Sequence, residues 1–241
     1  MTLQTHDINI THNGKSILQD INIQIPNKKI TALMGPSGVG KSTLLNILSG
    51  QCQADTGQVL WQQKPLETYD KPYPFGILFQ HNALLLHLTV FENVALALRY
   101  QYQDEQSIAQ RVHARLEEVG LKACADLYPE QLSGGMARRV AIARATIAKP
   151  KIMFFDEPFS GLDPPNTANI AMLIKKVNHL LNATTVLVTH EPNIALKLAD
   201  YVYLLHENKV YHHDTPNKIS KSKDPIVQQF INPETIAMDR Q

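Results

Sequence analysis

The nine residues Gly35-Pro36-Ser37-Gly38-Val39-Gly40-Lys41-Ser42-Thr43 constrain this chain more than any other stretch. They follow an unbroken apolar run, Ile30 to Met34, and precede another, Leu44 to Leu48. A buried strand, a glycine-rich turn ending in Lys-Ser and an apolar helix fit the P-loop pattern. Its glycines let successive backbone N–H groups turn inward around phosphates, and the helix start adds a favourable dipole. Lys41 is suited to the β- and γ-phosphates and the Ser42 hydroxyl to Mg²⁺. The loop points to nucleotide binding without choosing a reaction, because kinases, GTPases and transport ATPases share it.

The surrounding pattern predicts the rest of an α/β P-loop NTPase (RecA-like) core. Ile8-Asn9-Ile10 and Ile21-Asn22-Ile23-Gln24-Ile25 alternate with period two, the mark of half-buried antiparallel strands. Ile152 to Phe155, Thr185 to Thr189 and Tyr201 to Leu205 are short apolar runs like Ile30 to Met34, expected as strands of a mostly parallel sheet. Phe91 to Tyr100, Asp104 to Val119 and Gly134 to Ala148 read as an inserted helical subdomain, with Asp104 as N-cap and Gly120 as C-cap. Asn166 to Leu181 and Asp224 to Ile231 read as further helices. The expected organisation is a single domain over residues 1–222, with the β subdomain and P-loop core at 1–82, the helices at about 83–148 and the second half of the core at 149–222. Residues 223–241 are expected as a short C-terminal helix and tail.

Two further places carry chemistry. The run Ile152 to Phe155 ends in Asp156-Glu157, putting carboxylates at the sheet edge where open α/β folds bind ligands. Asp156 suits the Mg²⁺ shell, and Glu157 suits a general base for an attacking water. His190 ends the run Thr185 to Thr189 and is expected to contact the γ-phosphate from its edge. Leu132-Ser133-Gly134-Gly135-Met136 opens a helix, so Ser133, Gly134 and Gly135 form a second anion-binding helix start.

Bulk properties narrow the partners. A formal net charge of +1 provides no basic field, which argues against nucleic acid. Cys52 and Cys124 are far apart, without metal-ligand spacing, as in a reducing compartment. No signal peptide is read at Met1 to Asn9 and no run of apolar residues is long enough to span a bilayer, so any membrane role would be through partners. His212-His213 and the Lys221/Lys223 stretch can be read as metal or lipid-headgroup contacts, but solvated loop is the better reading.

Taken together, the motifs resemble the ABC ATPase family in identity and order: P-loop Gly35 to Ser42, Q-loop Gln80, signature Leu132 to Gly135, Walker B Ile152 to Asp156, Glu157, D-loop Ser160-Gly161-Leu162-Asp163 and switch His190. The resemblance spans about residues 3 to 220. It implies ATP and Mg²⁺ as cofactors, with Gln80 serving both hydrolysis and the metal. It also implies a head-to-tail dimer in which one subunit's signature closes over the other's P-loop. His12, before Asn13-Gly14-Lys15, falls where the family stacks an aromatic ring on adenine. Met136 stands where Gln is more usual.

Asn82 to Leu86 and Leu88 to Val94 correspond to the family's groove for a permease coupling helix. Gly134 to Arg139, Ala199 to Tyr203 and Asp224 to Ile231 are similar to the ATPases of Mla-type phospholipid-trafficking (toluene-tolerance) systems of double-membrane bacteria. That resemblance implies permease subunits, an MCE-type lipid-binding subunit and a peripheral position on the cytoplasmic side of the inner membrane. There a C-terminal extension reaches over the partner; here Glu234 to Gln241 is short and Asn232-Pro233 replaces the usual Gly. The alternative is the ATPase of an importer for a small solute such as an amino acid, thiamine or an anion. Translation-type members carry two cassettes per chain and chromosome-type members long coiled coils, and neither feature is present.

Overall fold

Strand β1 (Leu3–His12) turns through Asn13-Gly14 into β2 (Lys15–Ile21), and both turn residues have positive φ, 50° and 74°. That is the primed hairpin turn that Asn-Gly favours, because it matches the twist of the flanking strands. The computed structural model describes residues 3–99 and 104–232 and falls into two compact units, one running to Tyr73 and resuming at Thr184, the other Pro74–Ala183. In the first unit β3 (Gln24–Ile25) follows, then β4 (Ile30–Met34), helix α1 (Lys41–Leu48), β5 (Thr56–Trp61) and β6 (Lys64–Pro65). Strands β2, β1, β5 and β6 lie in that order, with β3 also on β1, and every one of these pairings is antiparallel. Inside this sheet buried Thr5 donates its hydroxyl to Ile21 O and accepts from Ile23 N, so no lone polar group is left there.

The second unit opens with β7 (Phe75–Leu78), continues through α2 (Val90–Arg99), α3 (Glu105–Glu118) and α4 (Gly134–Thr146), and closes with β8 (Ile152–Asp156) and α5 (Pro164–Leu181). Helix α3 starts on Asp104, whose carboxylate accepts from Gln106 N and Ser107 N, and stops before Gly120 at φ 70°. Helix α4 ends at Thr146, short of the expected Ala148, because Lys149 takes φ 52° and Pro150 disfavours helix before it. Helix α5 begins two residues before the expected Asn166: Asp163 caps it by accepting from Asn166 N, and prolines are tolerated in a first turn. Tyr100, expected to end α2, lies outside the described residues.

The chain then returns to the first unit with β9 (Thr184–Thr189), α6 (Pro192–Leu198), β10 (Tyr201–His206), β11 (Lys209–Asp214), α7 (Pro216–Ser220) and α8 (Pro225–Ile231). Strands β10, β4 and β9 are parallel neighbours, and β11 adds antiparallel on β10. Fully buried β4 and β9 read as continuous apolar runs for that reason. Ala32, Met34, Val202 and Leu204 of the sheet pack with Ala195, Ile219, Val227 and Ile231 of α6, α7 and α8. His212 and His213 are therefore not solvated loop, as expected, but lie on β11, where His213 Nδ1 is 2.9 Å from the Tyr201 hydroxyl. Lys221 and Lys223 are exposed between α7 and α8. The tail Glu234 to Gln241, with the question of a clasp, lies outside the described residues.

Gly76 of β7 is required by sterics rather than by its backbone angles, because a Cβ there would stand 2.1 Å from Ala145 O of α4 and 2.9 Å from Pro150 Cγ. Gly76→Ala is expected to destabilise the protein by about 1–3 kcal/mol through overpacking, read as a lower urea midpoint with an unchanged slope.

Candidate functional site

In the first unit the loop after β4 is wrapped around its own lysine. Lys41 is 6% exposed and its Nζ donates to Gly35 O at 2.9 Å and Pro36 O at 3.0 Å. A buried ammonium is tolerable only with such acceptors. Helix α1 starts behind it at Gly40 with no side-chain cap, so its first turn faces the loop with main chain alone. Two glycines are obligatory here. Gly40 has φ 97° and a Cβ there would meet Leu18 Cδ2 at 2.7 Å and Ile17 O at 2.8 Å; Gly35 has φ 150° and its Cβ would meet Leu205 O at 2.5 Å. Pro36, Ser37 and Gly38 form the exposed lip, while Val39 is buried beneath them; Ser42 and Thr43 are half-buried in the first turn of α1.

Parallel pairing brings one more predicted residue to this edge. Met34 is in register with Thr189, so Gly35 and His190 leave adjacent strands side by side, with His190 exposed. His12 is exposed at the end of β1, paired with Lys15 across the hairpin.

The second unit holds the remaining candidates. Leu78 is in register with Phe155, which sets Phe79-Gln80 beside Asp156-Glu157 at the carboxyl ends of β7 and β8. Asp156 is half-buried and Gln80 exposed, whereas Glu157 is buried at 7% exposure and has φ 45°. A non-glycine residue in the left-handed region is strained, and such strain clusters at functional sites. Ser133 caps α4 by accepting Met136 N at 3.3 Å on its Oγ. Gly134 is open to solvent; Gly135 is buried, and a Cβ on it would stand 2.9 Å from Asn166 Oδ1 at the start of α5.

Two residues that matter here were not anticipated. Arg138 of α4 donates to Phe79 O, Gln80 O and Ser160 O, and Arg144 donates to Asn82 O at 2.7 Å and Ala83 O at 2.6 Å. Burial pushes both guanidinium pKa values down from the usual arginine range. Their helix is rich in alanine and small residues, so nothing in the local pattern marks which arginine points inward. The loop after them is equally organised. Buried Asn93 donates to Leu85 O, Leu88 O and Thr89 O and accepts from Leu85 N, while Glu92 accepts from Thr89 N in a capping box that holds its carboxyl below the usual range. Val90 and Val94 are core, but Leu85 and Leu86 are 40% and 60% exposed.

The chain matches the family model described as ABC transporter over residues 18–160. It is 38% identical to the intermembrane phospholipid transport system ATP-binding protein MlaF of Haemophilus influenzae, across 97% of this chain and 91% of that protein. It is 37% identical to the sulfate/thiosulfate import ATP-binding protein CysA 2 of Shewanella oneidensis, across 96% of this chain and 67% of that protein. Among solved structures it resembles the dimeric ATP-binding cassette MJ0796 in a post-hydrolysis state bound to ADP and Pi, with TM-score 0.81, 30% identity and coverage of 89% of this chain and 98% of that one.

Gly40→Ala is expected to weaken nucleotide binding by at least about tenfold, the order of cost of forcing a side chain into this conformation, while circular dichroism stays native. Titration with a fluorescent ATP analogue measures it.

Proposed function

This chain belongs to the ABC transporter family as an ATP-binding and ATP-hydrolysing subunit, and on that premise we propose that it pairs with a second copy to power intermembrane phospholipid transport. Likeness to MlaF across 97% of the chain carries this assignment. Its partners are then integral-membrane permease subunits and an MCE-type lipid-binding subunit, and it works on the cytoplasmic side of a bacterial inner membrane. No helix among the described residues is long and apolar enough to cross a membrane. Half-exposed Leu85 and Leu86 on the Asn93-braced loop supply apolar surface for a permease.

Each proposed role follows from local chemistry. Main-chain N–H groups of Gly35 to Thr43 bind phosphates, and Lys41 exchanges its two carbonyl acceptors for phosphate oxygens. The donor types suit Mg²⁺, a hard cation that takes oxygen: its proposed ligands are the Ser42 hydroxyl, the Asp156 carboxylate and the Gln80 amide. When bound, Mg²⁺ supplies neutralisation of the phosphate charge. Glu157 accepts the proton of the attacking water, Gln80 helps orient that water, and His190 contacts the γ-phosphate. His12 stacks on adenine from the hairpin end. Ser133, Gly134 and Gly135 offer an uncluttered helix start to the γ-phosphate held by the second copy.

The second reading, an importer ATPase for a small solute, has the likeness to CysA 2 in its favour. Purifying the tagged chain from its native membranes in mild detergent separates the two. Co-purification of a permease with an MCE-type subunit and bound phospholipid is the expected result; a permease with a solute-binding protein and no lipid would move the substrate to the importer reading.

Glu157→Gln is expected to keep ATP binding within about threefold, to lower kcat by at least about 100-fold, as loss of a general base does, and to accumulate an ATP-bound dimer in size-exclusion chromatography. Normal turnover would remove Glu157 from its role.

A further inference from the structure

We propose that Arg138 is a positioning residue for ATP hydrolysis, its buried guanidinium fixing the main chain at Gln80 and Ser160 to the helix that opens at Ser133. The inference rests on the functional reading above and deepens it.

Arg138 is 4% exposed, and among the described residues no carboxylate pairs with it. Its acceptors are all main-chain carbonyls: Gln80 O at 3.0 Å, Phe79 O at 3.4 Å and Ser160 O at 3.4 Å. Its Nε is buried without a partner. A buried cation without a counter-ion costs stability, and a sequence optimised for stability alone would place an apolar side chain here. What the guanidinium achieves instead is geometric. Its rigid fork spans two separate segments at once, which a point charge cannot do.

Those segments are functionally placed. Gln80 leaves β7 beside the Asp156-Glu157 end of β8, and Ser160 opens the loop to Asp163, the cap of α5. Ser133 caps the same helix that carries Arg138. One side chain therefore ties the proposed metal-binding amide, the loop after the base and the second anion site into a single body. Arg144, farther along α4, takes the next two carbonyls of the same loop, Asn82 O and Ala83 O, so α4 grips residues 79–83 at two points. Arg139, the adjacent arginine, donates instead to Val119 O and holds none of these segments.

The test uses the transporter purified with its membrane subunits. Arg138→Met is expected to lower kcat at least about tenfold, to change ATP affinity by less than about threefold, and to raise the Mg²⁺ concentration for half-maximal hydrolysis at least about threefold, the split expected when a group acts after binding. Arg138→Lys, which keeps the charge and loses the fork, should fall between, and it carries the test if the Met variant does not fold. Arg139→Met should leave the Mg²⁺ midpoint within about twofold. An unchanged kcat and Mg²⁺ midpoint in folded Arg138 variants would overturn the inference. So would a lower Tm with an unmoved Mg²⁺ midpoint, the mark of a purely structural arginine, or an equal shift in Arg139→Met. Glu157→Gln is run in parallel: retained turnover there overturns the reading of the site itself, whereas lost turnover there with normal Arg138→Met overturns only this inference.

Discussion

A buried ammonium held by the carbonyls of its own loop is the interaction on which the first unit depends. Lys41 stays at 6% exposure with Gly35 O and Pro36 O accepting from its ammonium, and the loop that presents those carbonyls carries glycines 35, 38 and 40 at positive φ. Everything near the loop is shaped to leave room for that path. Leu205 O of β10 closes on Gly35, and Ile17 O and the Leu18 side chain of β2 close on Gly40, so the two sheets of this unit both abut the loop. Fully buried β4 fixes where the loop begins and α1 where it ends.

In the second unit an analogous constraint runs through a guanidinium rather than an ammonium. Strands β7 and β8 set Gln80 beside Asp156 and Glu157 by register alone, yet residues 79–83 have no strand partner to hold them beyond Leu78. Arg138 and Arg144 of α4 take that part, and Asn93 extends the brace to residues 85–89. A loop stiffened by main-chain acceptors keeps its side chains free for a ligand or partner. That is how exposed Gln80 and half-exposed Leu85 can face outward from a well-ordered backbone.

Elements were legible where a local signal coincided with burial. Helix α3 announced itself by Asp104 and Gly120, and β4, β8, β9 and β10 by their apolar runs. Strands β5, β6, β7 and β11 and helices α6 and α7 were not anticipated, and the alternating run Ile21 to Ile25 is not one strand: it falls on the end of β2 and on β3, with Asn22-Ile23 between them. Thr56–Trp61 is half-exposed and Lys209–Asp214 is an edge strand, both with weak patterning, and Pro192–Leu198 and Pro216–Ser220 are too short for a helical period to emerge. The two histidines of β11 looked like loop for the same reason, since an exposed strand rich in polar residues has no apolar face to declare.

The sequence by itself determined the phosphate loop, the acid pair at the end of β8, the Ser-Gly-Gly helix start and the family they belong to, because each is a short motif whose chemistry is carried by adjacent residues. Only the tertiary structure decided that Glu157 sits strained and buried, that Gly76 is a steric necessity, and that Arg138 rather than Arg139 faces inward. The physical reason is range: a motif encodes the main-chain path and donors within one turn or strand end, whereas burial and the choice of acceptor depend on segments brought together from 59 and 22 residues away.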